Sequence, residues 1–272
     1  MQEMSGTVFS VDSETLGSVA LNREVRIDLY VPPASDFPPA LLLINDGQNL
    51  EEMGLLAILS DLYGRDLIQP LLAVGIHAGE LRKREYGIRA EPDYLGRGDL
   101  AGAYQAFVLT ELLPFIYEKF PLNFSQRSIA GFSLGGLSAL DIAWSHPALF
   151  QTVGVFSGSL WWRSVAQELA YYNDDQHRIM HQQVRKGEFQ PGLRFYLQCG
   201  NMDETRDRNG NGIIDSIEDT IDLMKELEAK GYRLGKDIHY REMVDGRHDM
   251  ETWGRSMPEF LQWAFPKNNP GR

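Results

Sequence analysis

Arg127-Ser128-Ile129-Ala130-Gly131-Phe132-Ser133-Leu134-Gly135-Gly136 decides how the rest of the chain is read. The stretch reads as a short buried strand, a sharp turn and the start of a helix. Ser133 stands at the apex, with Gly131 and Gly135 on either side in the G-x-S-x-G spacing of a nucleophile elbow. A serine on so tight a strand-to-helix turn has a strained backbone and very close neighbours, so residues without side chains are needed two positions away on each side. The helix that follows points its unpaired N–H groups and positive dipole end at any charge that builds up on a substrate. The surroundings agree. Leu137 to Trp144 has helical spacing of apolar residues and stops at Ser145-His146-Pro147.

Before the elbow, Thr7–Val11 and Val25–Val31 alternate apolar and polar side chains, as half-buried antiparallel strands do. Leu41–Ile44 and Leu71–Ile76 are continuous apolar runs suited to strands covered on both faces. Leu55–Tyr63 predicts a helix, and His77 to Asp99 a long charged, Gly-rich loop. Ala101–Lys119 predicts a long amphipathic helix, broken or kinked near Pro114. After the elbow, Thr152–Phe156, Leu193–Cys199 and Ile238–Val244 read as strands, and Ile217–Lys230 and Thr252–Phe265 as helices. Residues 158–193 are rich in Trp, Tyr, His and Gln without a clean period, and are expected to form a cap-like excursion over the sheet. Antiparallel strands first, then β and α in alternation, predict an α/β fold with a mostly parallel sheet and helices on both faces, in one domain over 1–272. Ligands in such sheets bind beyond the carboxyl ends of the strands.

Composition narrows the function. The 272 residues carry a net charge of −12, which argues against nucleic acid, whose phosphates need a basic face, and against an anionic membrane surface. There is no run of eighteen apolar residues, so no transmembrane helix is expected. The N-terminus lacks a basic and then apolar leader, which predicts a cytoplasmic protein, or a periplasmic or secreted one if the chain is processed. Cys199 is the single cysteine and cannot form an internal disulfide.

A serine hydroxyl is a poor nucleophile near neutral pH. It needs a base within hydrogen-bond reach and a carboxylate to hold that base. His248, in Asp245-Gly246-Arg247-His248-Asp249-Met250, lies directly after the last strand, where a base is expected. His239 lies inside that strand and His181 in the excursion. Cys199-Gly200-Asn201-Met202-Asp203-Glu204 offers the acid. Asp203 is the shorter and needs the least slack; Glu204 is the alternative. Acyl chemistry also needs two donors for the oxyanion. The main-chain N–H of Leu134 supplies one. Gln48, in the turn Asp46-Gly47-Gln48-Asn49 after the Leu41–Ile44 strand, supplies the other. Trp161 and Trp162 suggest an aromatic wall for the substrate, and Tyr86 a further pocket residue, with Arg84 and Glu85 bracing their loop.

Several segments together resemble one family. They are Asp46–Asn49, Arg84-Glu85-Tyr86, Phe107–Pro114, Gly131–Gly136, Ser157-Gly158-Ser159-Leu160-Trp161-Trp162 and Gly246–Phe260. In this order they are similar to the putative-esterase (esterase D-like) family of α/β-hydrolases, which includes feruloyl and acetyl xylan esterases and enterochelin esterases. The resemblance implies the α/β-hydrolase fold, Ser133 as nucleophile, His248 as base, Asp203 as acid, and an oxyanion hole at Gln48 and Leu134. It leaves the ester open, whether a small molecule or glycan-linked. An acyltransferase or thioesterase would share the triad. A calcium-binding protein on a hydrolase scaffold without turnover is the reading from another class.

That last reading comes from Asp207 to Glu218, which matches D-x-[DN]-x-[DN]-G-x5-E throughout. Oxygens of Asp207, Asn209, Asn211, Asp215 and Glu218, with the Ile213 carbonyl, would wrap a Ca²⁺ ion, and Gly212 would permit the turn. A structural Ca²⁺ is therefore expected at 207–218, stiffening the loop behind Asp203. His177 and His181 are spaced like a zinc pair, but Arg178 stands where a zinc protease needs Glu.

Overall fold

Leu41 and Leu43 point into one apolar cluster and Leu42 and Ile44 into another, all four with no exposed surface. This alternation is what a strand covered on both faces requires. It places Ala40–Asn45 (β3) in the middle of an eight-stranded sheet. The computed structural model describes residues 9–267. The other strands are Ser10–Ser18 (β1), Arg23–Val31 (β2), Leu71–Ile76 (β4), Arg127–Phe132 (β5), Thr152–Phe156 (β6), Arg194–Met202 (β7) and Ile238–Arg247 (β8). Their spatial order is β1-β2-β4-β3-β5-β6-β7-β8. β1 and β2 pair antiparallel, as do β2 and β4, and every other neighbouring pair is parallel.

The helices are Leu55–Gly64 (α1), Arg82–Glu85 (α2), Ala101–Ala106 (α3), Leu113–Lys119 (α4), Leu134–Ser145 (α5), Asp174–His177 (α6), Ile179–Lys186 (α7), Asp215–Lys230 (α8) and Met250–Ala264 (α9). Side chains of α3, α4, α5, α7 and α8 enter the first cluster. Those of α1 and α9 enter the second. The sheet is thus covered on both faces, in an α/β-hydrolase fold. Among the described residues, no helix is long and apolar enough to cross a membrane.

Three expectations shift. The first strand begins at Ser10 and runs to Ser18, later than Thr7–Val11, because pairing with β2 holds its polar residues in line; Thr7 and Val8 lie outside the described residues. The helix near Pro114 is not broken. Between α3 and α4, Phe107–Leu112 widens into a π-helical stretch. Proline has no N–H for the ordinary helical bond, and the widened stretch lies just ahead of it. The excursion over 158–193 contains the short helices α6 and α7.

Candidate active site

Ser133 has φ 54° and ψ −119°, a conformation that costs a non-glycine residue energy and is held by its surroundings. Its N–H donates to the Phe156 carbonyl at 2.9 Å, which ties the turn to the neighbouring strand. A Cβ at Gly131 would lie 2.3 Å from the Gly135 carbonyl oxygen, so the two arms of the turn are in contact. Strain recurs alongside. Asp46, Ser133 and Ser157 are the first residues after β3, β5 and β6, adjacent strands in the sheet, and have φ of 65°, 54° and 45°. Asp203 and His248 follow β7 and β8 in the same way. The carboxyl edge of the parallel strands therefore presents Ser133, Asp203 and His248 together with Asp46 and Ser157.

Asp203 and His248 each follow one of two paired strands, and among the described residues no hydrogen bond joins Asp203 to His248 or His248 to Ser133. Met202 pairs with Arg247, with a register shift just before it, so the next residue on each strand emerges side by side. Asp203 Oδ2 accepts the Gly200 N–H at 3.0 Å, while its buried Oδ1 has no hydrogen-bond partner among the described residues. Burial pushes the Asp203 carboxyl up, and the Gly200 N–H, the Ser157 hydroxyl and the His248 charge pull it back. His248 is held below the ordinary imidazole value by crowding around its ring, with the Asp203 charge opposing this and the Arg82 cation adding to it. His248 is exposed to solvent. Glu204 turns elsewhere: its neighbours are Ser216, Asp215, Asp219 and Arg206. The Ser133 hydroxyl has Ser159 Oγ at 3.3 Å as its partner among the described residues. Hydrogen bonds of this kind are often completed only when substrate binds.

Trp253, on the first turn of α9, spans these parts. Its ring stacks on Phe132 at 5.0 Å and meets the His248 ring edge-on at 5.2 Å. Its Nε1 donates to Ser157 Oγ at 2.9 Å. One buried side chain thereby fixes the residue before the serine, the imidazole, and the hydroxyl that faces Asp203.

Leu134 opens α5, where the first N–H groups have no intrahelical acceptor. The Gln48 side chain is already engaged: Nε2 donates to Asp46 Oδ1 at 3.0 Å and Oε1 accepts the Ala78 N–H at 3.0 Å. Only its main-chain N–H is then left to serve an oxyanion.

Two expected pocket residues are corrected. Tyr86 has no exposed surface; its hydroxyl accepts the Asp46 N–H at 3.1 Å, so it braces the turn from behind and does not line a pocket. Trp162 is likewise fully buried, since the Gly87 and Gly98 backbones close over its indole. Trp161 is half-buried and lines a cavity of about 350 Å³ with Tyr94, Arg97, Arg163 and Glu204; the Arg97 guanidinium lies 4.7 Å above its ring. Arg84 pairs with Asp99, and Glu85 with Arg23 by two bonds of 2.8 and 2.6 Å.

In the 207–218 loop, the Asp207 carboxylate accepts the N–H groups of Gly210, Asn211 and Gly212. The Asn209 and Asn211 side-chain amides both donate to Glu218 Oε1, at 2.7 and 2.8 Å. Arg208 lies 3.2 Å from Glu218 Oε2, and Asp215 Oδ1 accepts the Arg208 N–H. Among the described residues, no three His, Cys, Asp or Glu side chains converge on a metal-sized space. The donor types suit calcium, but three N–H donors face Glu218 where a cation would stand.

A family model for putative esterases matches residues 18–264. The chain belongs to that family. It is 28% identical over 226 residues to the iron(III) enterobactin esterase of Escherichia coli K12, covering 81% of this chain and 48% of that protein. The chain thus spans about half the length of the curated enterobactin esterases it matches. The enterobactin esterase of Shigella flexneri, solved in the presence of enterobactin, superposes with a TM-score of 0.71 at 23% identity, over 93% of this chain and 58% of that one. A ferulic acid esterase superposes with a TM-score of 0.69 at 17% identity, over 95% and 98%. These likenesses show that the esterase family shares this fold. Sequence reasoning missed Asp46, Arg82, Ser157, Ser159 and Trp253. Asp46 and Ser157 could have been found as the first residues after apolar strand runs, Ser159 and Trp253 lie in segments that resemble the family, and Arg82 carries no local signal.

Proposed function

We propose that this member of the putative-esterase family hydrolyses carboxylic esters through an acyl-enzyme on Ser133. The observation that carries the reading is the strained Ser133 turn at the start of α5, in line with Asp203 and His248 on the same sheet edge. Ser133 Oγ attacks the ester carbonyl carbon as its proton passes to His248. The carbonyl π electrons move onto oxygen, and the main-chain N–H groups of Leu134 and Gln48 receive that charge. The intermediate collapses, the C–O bond breaks, and the alcohol leaves with the proton from His248. Water then repeats the sequence on the acyl-enzyme, releasing the acid and restoring Ser133. Asp203, through its unpartnered Oδ1, holds the imidazole and balances its charge. The substrate class is a small-molecule or glycan-linked ester, with Trp161 beside its path. The names of the relatives, an iron(III) enterobactin esterase and a ferulic acid esterase, support a small-molecule ester as substrate.

The test is hydrolysis of p-nitrophenyl esters from acetate to octanoate by wild type and Ser133→Ala. The reading requires turnover that is lost in the variant. Equal rates in both would refute it.

A calcium ion in the 207–218 loop remains a proposal that rests on the sequence motif. Asp207, Asn209, Asn211, Asp215, Glu218 and the Ile213 carbonyl would hold it, and the ion would supply charge that stiffens the segment behind Asp203. Its binding requires the two asparagine amides to turn their oxygens toward Glu218.

A further inference from the structure

Asp46 is fully buried, and its carboxylate sits at the meeting point of the two arms of the oxyanion site. On one side it accepts the Gln48 amide at 3.0 Å. On the other, a Cβ at Gly135 would lie 2.6 Å from Asp46 Oδ2, so the carboxylate rests against the second residue of α5. Its neighbour Asn45 donates from Nδ2 to the Gly135 carbonyl at 2.7 Å. Arg82 closes the arrangement from α2. Its Nε donates to Asp46 Oδ1 at 2.6 Å and its Nη2 to Oδ2 at 2.7 Å, and Nη2 also reaches the Phe132 carbonyl at 3.4 Å. Bonds therefore run from the Gln48 turn to residues on both sides of Ser133.

The pair also has an electrical consequence. Negative charge develops on the carbonyl oxygen between Leu134 and Gln48. A buried carboxylate against Gly135 opposes that charge unless it is compensated, and little water is present to screen it. The only guanidinium donating to Asp46 among the described residues is Arg82. Its bidentate fork both neutralises the carboxylate and fixes its plane, which a lysine cannot do.

We propose that Asp46 and Arg82 are a positioning pair that sets the distance between the two oxyanion donors and cancels a buried charge beside the oxyanion. The inference rests on the ester-hydrolase reading of Ser133. Neither residue touches the reacting atoms.

The experiment compares kcat and KM for p-nitrophenyl butyrate in wild type, Arg82→Met, Arg82→Lys, Asp46→Asn and the Asp46→Asn/Arg82→Met double variant. Ser133 labelling by a fluorophosphonate and the melting temperature are measured on each. Arg82→Met is expected to lower kcat by about 10²-fold, the scale of losing one oxyanion donor, with KM within about threefold. Arg82→Lys falls between it and wild type. The double variant is expected to recover about tenfold of the Arg82→Met loss, because it removes the stranded carboxylate. A brace that acts only through its hydrogen bonds predicts a double variant no better than the single, and that result overturns the proposal. So does a folded Arg82→Met enzyme with kcat unchanged, or unfolding of both Arg82 variants. A wild type that neither labels nor turns over overturns the hydrolase reading itself, and the pair's role with it.

Discussion

At the residue scale, the choice between two adjacent carboxylates carries the mechanism. Asp203 emerges beside His248 because Met202 pairs with Arg247, whereas Glu204 faces Ser216 and Asp215. Asp203→Asn is expected to lower kcat by about 10³- to 10⁴-fold, since the imidazole loses the group that fixes its tautomer. Glu204→Gln is expected to cost less than about tenfold. Steady-state kinetics on the two variants checks this, and the reverse ranking would move the acid to Glu204. A fixed spacing marks Ser133 in the sequence, and apolar strand runs place Asp203 and His248 just after strands, where the structure has all three. The pairing of Asp46 with Arg82 was not legible, since it joins residues 36 apart in the chain. Trp162 misled because its place after a strand end looks exposed, while the glycines that bury it belong to another loop. The same holds for Tyr86, whose partner is the turn after β3.

At the element scale, strands and helices with continuous apolar faces matched their sequence signals, and those held by ionic contacts did not. β6 and α1 have unbroken or periodic apolar runs and were read nearly to the residue. Residues 158–193 have no period because α6 and α7 are short and are held largely by charge. Arg163 and Arg178 of the excursion, with Arg208 of the 207–218 loop, converge on Asp219 of α8, whose side chain is almost wholly enclosed. Such a cluster is costly to break, because loss of one partner leaves a charge without solvent. Arg208 also contacts Asp174 of α6, which joins the excursion to the loop. Calcium binding at 207–218 would therefore stiffen both segments. The expected result is a melting temperature raised by about 3 °C or more in millimolar Ca²⁺ relative to chelator, and no such rise in Asp207→Ala. Equal melting temperatures for wild type in the two buffers would show that the loop binds no calcium.

At the scale of the whole molecule, the sheet order follows from pattern. An alternating run marks β2, while the run at Thr7–Val11 overlaps β1 only at its start; continuous apolar runs mark the central parallel strands, and the topology places Ser133, Asp203 and His248 at one edge of the sheet. Acid stability is a property of the same whole. His181 on α7 is buried, and its Nε2–H donates to the Asp219 carbonyl at 2.8 Å, leaving Nδ1 without a partner among the described residues. Burial and the Arg178 cation push its imidazole down to about 3. A depressed histidine stabilises the fold fully above the unfolded value of about 6.5, and that contribution is lost as pH falls toward the folded value. The melting temperature of wild type should therefore fall more steeply between about pH 6.5 and 4 than that of His181→Gln, whose side-chain amide keeps the donor. Parallel curves would show that His181 does not titrate in this way. Whether the sheet edge is a serine hydrolase site is decided by mass spectrometry of the protein after exposure to a fluorophosphonate. A serine hydrolase gives a single adduct on Ser133 that is absent in Ser133→Ala and accompanied by loss of p-nitrophenyl ester turnover. An unlabelled Ser133, or turnover that survives its removal, would contradict that assignment.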